Sequence, residues 1–404
     1  MKKLVFVLLI ISSHLILSAE WKFADANNSF AADLYKITVE NDNYIYSPYS
    51  ITSALAMAYS GMNTETKHQT ARVLYFPGND ELLFTAIQKN TNLLSKIENK
   101  PYLQDTDRTK FNVANSLWIE NSFNLKKQFI TLNKTYFGSS LYQLDFIHQP
   151  VESADKINKW VEHKTNNLIK NIIQPTDITP DTKLILCNAV YFKANWRNKF
   201  NKLFTKEAQF YRNNDSETKC QMMHRLDYIS YKKTSDYQII ELPYLENKFS
   251  MFVVLPKSHQ KLANLEKKLE GDYLSEIFSE LESTYVDMKL PKFQIETSLN
   301  LTQSLQDLGM ELAFTSSADF TGINQEIPLR ISKVLHKAFI AVDEEGTEAA
   351  AATVISCEAT SMREYPTPKE FIADHPFLFF VVDRAEQTVL FMGRIENPEF
   401  KEKK

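Results

Sequence analysis

Residues 343–376 constrain the fold of this chain more than any other stretch. They run Asp343-Glu344-Glu345-Gly346-Thr347-Glu348 into four consecutive alanines, Ala349 to Ala352, and close on Asp374-His375-Pro376. Strand-like segments flank them, Ile340-Ala341-Val342 before and Phe377 onward after. A connection of about thirty residues is long for a globular domain, and such connections are usually functional or disordered. Alanine favours helix, yet these alanines directly follow a strand pattern that Gly346 breaks. Two readings stand at this point. Glu344 to Thr353 is either a short surface helix or a segment kept small because it must later fit somewhere crowded.

Elsewhere helical and strand patterns interleave, with no composition break and no internal repeat. Ser50 to Tyr59 has the alanine and leucine content of a buried helix, and helical spacing recurs at Leu262, Leu265, Leu269 and at Leu301, Leu305, Leu308, the last stopped by Gly309. Phe249 to Leu255 is an apolar run ended by Pro256. Val286, Met288 and Leu290 alternate with polar residues, and the pattern restarts beyond Pro291 at Phe293 and Ile295. Phe377–Val382 and Val389–Met392 flank the polar turn Arg384-Ala385-Glu386-Gln387, a hairpin signal. The simplest account is mixed α+β in one large domain.

A net charge of −4, with 46 Lys+Arg against 50 Asp+Glu, argues against a nucleic acid held by a broad basic surface. No nucleophile elbow, phosphate loop or dinucleotide turn occurs, and the eight histidines never pair at metal-binding spacing. No metal, cofactor or catalytic residue is therefore expected, and carboxylates such as Asp42, Glu65 and Glu162 read as solvated faces.

Met1-Lys2-Lys3, an apolar stretch and Ala19 read as a secretory signal peptide over residues 1–19, leaving 20–404 as one secreted domain with no membrane contact. Asn-x-Ser/Thr triplets at Asn27, Asn133, Asn214 and Asn300 are candidate glycan acceptors. Three cysteines cannot build a disulfide framework; Cys187 reads as a buried small hydrophobe and Cys357 as an exposed thiol.

Asp343 to Thr353 resembles the hinge of an inhibitory serpin, and Phe371-Ile372-Ala373-Asp374-His375-Pro376-Phe377-Leu378-Phe379 is similar to the signature that follows the reactive loop in that family. Ser47-Pro48-Tyr49-Ser50-Ile51, Asn112 to Trp118, Asn188 to Lys193, Glu241-Leu242-Pro243-Tyr244, Leu290-Pro291-Lys292-Phe293 and His336-Lys337-Ala338 are further family-like blocks, in family order from about residue 29 to 398. The resemblance implies the serpin fold: a large central, mostly antiparallel sheet, further sheets, eight or nine helices and an exposed reactive loop over about 344–370.

It also implies a monomeric suicide inhibitor that works without a cofactor. The target, a serine protease in the first place and a cysteine protease in the second, cleaves the loop and forms an acyl-enzyme. The hinge, Glu344, Glu345, Gly346, Thr347, Glu348, Ala349, Ala350, Ala351, Ala352 and Thr353, then enters the central sheet as a new strand. Insertion of ~14 residues gains two ladders of hydrogen bonds at ~0.5–1.5 kcal/mol each, so the intact state is metastable by something on the order of 10 kcal/mol. By motif, Ser47, Ser50, Asn188 and His336 match the polar cluster that controls opening of the sheet. Trp196 matches the packing tryptophan at its top, and Lys292 with Glu344 a bracing pair. Thr64, Asn167 and Ala194 stand where the family usually has glycine.

Counting seventeen residues from Glu344 places the scissile bond at Thr360–Ser361, which suits an elastase-like pocket. Counting back from Pro376 lands nearer Met362, and Arg363–Glu364 offers a trypsin-like bait. Each added residue gives ~3.3 Å of slack, and slack lets a protease escape, which favours Thr360. The rival readings are a non-inhibitory serpin acting as a binding or transport protein, and a hydrolase with an unrecognised site.

Overall fold

The apolar runs resolve into two sheets with helices packed around them. The computed structural model describes residues 20–40, 42–95, 109–138, 140–213, 216–258, 261–347 and 366–401. Among these, the helices are α1 (Phe23–Thr38), α2 (Pro48–Tyr59), α3 (Thr64–Val73), α4 (Asp80–Ser95), α5 (Lys127–Phe137), α6 (Pro150–Lys164), α7 (Leu262–Lys267), α8 (Gly271–Ile277) and α9 (Thr302–Asp307). The strands are β1 (Tyr44–Tyr46), β2 (Lys110–Glu120), β3 (Ser140–Leu144), β4 (Leu184–Asn195), β5 (Lys206–Tyr211), β6 (Glu217–Lys233), β7 (Tyr237–Pro243), β8 (Phe249–Pro256), β9 (Glu282–Pro291), β10 (Phe293–Asn300), β11 (Ile331–Val342), β12 (Gly346–Thr347), β13 (Lys369–Ile372), β14 (Phe377–Asp383) and β15 (Thr388–Ile395). The architecture is α+β, and every helix, strand and hairpin read from the sequence pattern is present.

The six-stranded sheet runs β10-β11-β12-β4-β2-β3, and β11 also pairs directly with β4. The other sheet has nine strands, ordered β1-β15-β14-β8-β7-β6-β9-β13, with β5 on β6. Strand β4 is apolar without alternation because both its faces are covered. Leu184, Leu186, Val190 and Phe192 join the main core, while Ile185, Cys187, Ala189 and Tyr191 join a second core with Ile157 and Val161 of α6. Every residue of α2 is buried in the main core beneath the sheet. Its start is fixed locally, since Pro48 occupies the first turn and the Ser47 hydroxyl accepts the Ser50 amide.

Two of the three missing glycines leave a backbone trace. Thr64 and Asn167 adopt left-handed conformations, with φ 49° and 62°. Asparagine tolerates that region, whereas a β-branched threonine is strained there. The Thr64 hydroxyl donates to Asp319 Oδ2 at 2.9 Å.

Candidate functional site: the hinge and the seam of the six-stranded sheet

Strands β4 and β11 run parallel and pair from Leu184↔Ile331 to Tyr191↔Phe339. Above that closed stretch they part, and β12 sits between them. Thr347 pairs with Val342 on one side and with Ala194 on the other, and Gly346 pairs with Asn195. The segment expected as an exposed loop from 344 thus begins inside the protein: Glu344, Glu345, Gly346 and Thr347 are all buried, and the last two are already paired in the sheet. The surface-helix reading fails for these residues, because two flanking strands offer backbone partners that a surface helix cannot. The loop's far end is likewise in a sheet, with Lys369–Ile372 paired to β9. Glu348 to Thr353, Cys357, Thr360, Ser361, Met362, Arg363 and Glu364 lie outside the described residues, as do Asn214 and residues 1–19.

Glycine is required at 346 by close approach rather than by strand breaking. A Cβ there would fall 2.1 Å from Ala194 O and 2.6 Å from Asn195 Cα. Thr347 is fully buried, and its hydroxyl meets the Tyr244 hydroxyl at 2.7 Å. Tyr244 stacks on Trp196 with ring centroids 4.7 Å apart. The Trp196 indole donates to Asp343 O and its amide to Glu345 O, both at 2.9 Å. Trp196 therefore holds the hinge from below as well as packing under it.

Both hinge carboxylates are buried and paired. Lys292 Nζ lies 3.1 Å from Glu344 Oε2, and the Thr205 hydroxyl donates to Oε1 at 2.8 Å. Burial pushes the Glu344 carboxyl up, but Thr205, a backbone amide and Lys292 together outweigh it and hold the group below the usual range. Lys199 and Lys202 reach the two oxygens of Glu345 at 2.7 and 3.4 Å. Burial raises Asp343, partly offset by the amides of Glu345 and Gly346.

Lower in the seam, Asn188 of β4 stands opposite His336 of β11. His336 Nδ1 bonds Asn188 Oδ1, and its Nε2 accepts the Ser47 amide at 3.2 Å. The Asn188 amide nitrogen donates to the Ser50 hydroxyl and to Asn115 Oδ1 of β2. The Ser47 hydroxyl donates to Leu390 O of β15 at 2.6 Å. One polar network thus ties both seam strands to α2, β2 and β15. Burial pushes the His336 imidazole down to about 3, so it stands neutral, one nitrogen donating and the other accepting.

The four residues expected in the polar cluster and the three expected at the top are brought together. Asn115, Tyr244, Thr205, Lys199 and Lys202 complete the arrangement and were not assigned from sequence. Asn115 and Tyr244 lay inside family-like blocks, which was their only signal; the lysines had none.

Two glycan expectations are corrected. Asn27 and Asn133 are fully buried, and the amide nitrogens a glycan would occupy donate to Val389 O at 3.0 Å and to the Ser60 hydroxyl at 2.9 Å. Asn300 ends β10 exposed. Cys187 and Cys220 are buried free thiols, pushed up by burial.

The sequence profile of the family described as "Serpin (serine protease inhibitor)" matches residues 25–398. This chain is a serpin. An uncharacterized serpin-like protein of Methanosarcina mazei is 37% identical over 388 residues, covering 94% of this chain and 88% of that protein. Human Serpin B4 is 35% identical over 388 residues, covering 93% and 99%. Among solved structures, Serpin48 of the insect Tenebrio molitor superposes with a TM-score of 0.82 at 30% identity, covering 93% of this chain and 98% of that one. Serpins are in general protease inhibitors rather than enzymes. No group of three metal-ligating side chains occurs among the described residues of this one.

Proposed function

We propose that this serpin is a secreted suicide inhibitor of a serine protease. Residues 1–19 are removed as a signal peptide, and residues 20–404 form the inhibitor as one domain. The protease attacks the loop at Thr360–Ser361 and is held as an acyl-enzyme. The hinge then extends from Gly346–Thr347 down the seam between β4 and β11. One observation carries this reading: β12 is hydrogen-bonded on both sides at the mouth of that seam, with a small, neutral side chain inside.

The residues below suit a seam that opens. Asn188, Ser50, Ser47 and His336 are neutral groups that can exchange partners, which costs far less than separating a buried ion pair. The charged groups, Lys292–Glu344 and Lys199–Glu345–Lys202, lie at the anchored end of the hinge, where no strand need pass. In this reading the loop and seam together serve trapping.

The test is incubation of the mature chain with elastase, chymotrypsin and trypsin separately, followed by denaturing gels and mass analysis of the released peptide. The expected result is a denaturant-resistant complex and a peptide beginning at Ser361. A peptide beginning at Glu364 keeps the mechanism and moves the bait to Arg363. Cleavage without complex, and without a rise in Tm, refutes inhibition and selects a binding or transport serpin.

A further inference from the structure

A pocket of about 350 Å³ opens beside the top of β4, lined in part by Trp196, and its wall gathers charge unevenly. Arg197 follows β4, Arg225 lies on β6 and Arg384 lies between β14 and β15, against the single carboxylate of Glu241 on β7. That carboxylate is spent. Its Oε1 pairs with Arg384 Nε at 2.7 Å and accepts the Ser250 hydroxyl at 2.7 Å.

Arg197 makes no ion pair and no side-chain hydrogen bond among the described residues. The Arg225 side chain is 12% exposed, its guanidinium lies 4.8 Å over the Phe200 ring, and its Nη1 donates to Asn198 O. Its nearest carboxylate, Asp227, is 3.6 Å from Nε, which has no hydrogen-bond partner. Burial pushes this guanidinium down to about 10. Asp227 is itself engaged by the Asn198 amide at 2.7 Å.

A desolvated guanidinium with unspent donors is a costly group that an anion would relieve. Two guanidinium forks lining one concavity, Arg225 largely buried and Arg197 exposed, match the oxygens of a tetrahedral oxyanion. Water takes ~30 Å³ per molecule in the liquid, so the space holds about ten waters, more than one ion requires. We propose that this pocket binds a phosphate or sulfate group between Arg197 and Arg225, either as the free ion or as the ester end of a larger molecule. Trp196 is part of the wall and bonds to Asp343 and Glu345, so the bound group sits one residue from the hinge supports.

Neither the site nor its test depends on the inhibitory reading. The mature chain is titrated with sodium phosphate, sodium sulfate and a low-mass dextran sulfate, with ionic strength held by sodium chloride. Tm and tryptophan emission are followed. The expected result is a saturable rise in Tm with an emission change, and half-saturation moved at least tenfold upward in Arg197→Ala, the loss of one charge-assisted contact. Arg197 is exposed, so that variant folds; Arg225→Lys, which keeps the charge and loses the fork, weakens binding in the same sense. Saturation by the inorganic salts identifies a free ion, and saturation by the polymer alone identifies an ester. No saturable response to any probe, or a response that Arg197→Ala leaves unchanged, overturns the site.

Discussion

Replacing Thr347 by arginine tests the insertion mechanism at its first step. Thr347 is fully buried between Ala194 and Val342, with its hydroxyl on Tyr244 at 2.7 Å. The nearby hinge carboxylates are already paired to Lys292, Lys199 and Lys202. An arginine at 347 therefore enters as an uncompensated buried charge, at ~3–5 kcal/mol. In the intact protein the hinge can withdraw, losing the Tyr244 bond and the short ladder, ~1–3 kcal/mol together. After cleavage no such escape exists, because insertion extending down the seam from Gly346–Thr347 requires residue 347 to stay between β4 and β11. A barrier raised by ~3 kcal/mol slows insertion ~150-fold, while hydrolysis of the acyl-enzyme is unchanged. The variant should thus be cut as a substrate, with the inhibition stoichiometry rising by one to two orders of magnitude and little complex on denaturing gels. Thr347→Ser, which keeps the hydroxyl, should inhibit like the parent. An arginine variant with the parent's stoichiometry would refute insertion through this seam.

Other perturbations probe the rest of the site. His336 is neutral when folded, with an imidazole held at about 3 against an ordinary value near 6.5, so the unfolded chain binds more protons between those values. Stability is then fully present above about pH 6.5 and falls by ~1.4 kcal/mol per unit below it, a slope that denaturant titrations should find missing in His336→Gln. Lys292→Ala strands Glu344 in a buried position and should cost ~3 kcal/mol in urea unfolding; adding Glu344→Gln should restore part of the loss. Expression through a glycosylating secretory pathway should leave Asn27 and Asn133 unmodified, with Asn300 the described acceptor that peptide mapping finds occupied.

What could be read from the chain divides along physical lines. Local composition and apolar spacing identified α2, the β14–β15 hairpin and the end of β11, because burial on one or both faces writes itself into the pattern of apolar residues. The polar cluster was legible only by resemblance: nothing local about Ser47 or His336 reveals that they meet where α2 begins against β11. Lys199, Lys202 and Glu345 lie some 145 residues apart in sequence and carry no pattern, so their pairing belongs wholly to tertiary structure. Gly346 was read as a strand breaker when it is the one residue that fits against Ala194 and Asn195. The triplets at Asn27 and Asn133 failed for the opposite reason, since a three-residue motif says nothing about burial.

The parked pair Gly346–Thr347 has the form of a toehold. In strand displacement between nucleic acids, an invader that has gripped a few positions advances by branch migration, each step exchanging an old pairing for a new one. Here the exchange is more generous, since every β4–β11 contact given up frees two edges that an incoming residue satisfies at once. Under the proposed mechanism the toehold is occupied before any protease arrives, and the slow search for a first contact is already complete. Advance then depends on whether each successive side chain can pass, which makes the order of residues in the hinge as consequential as their identity.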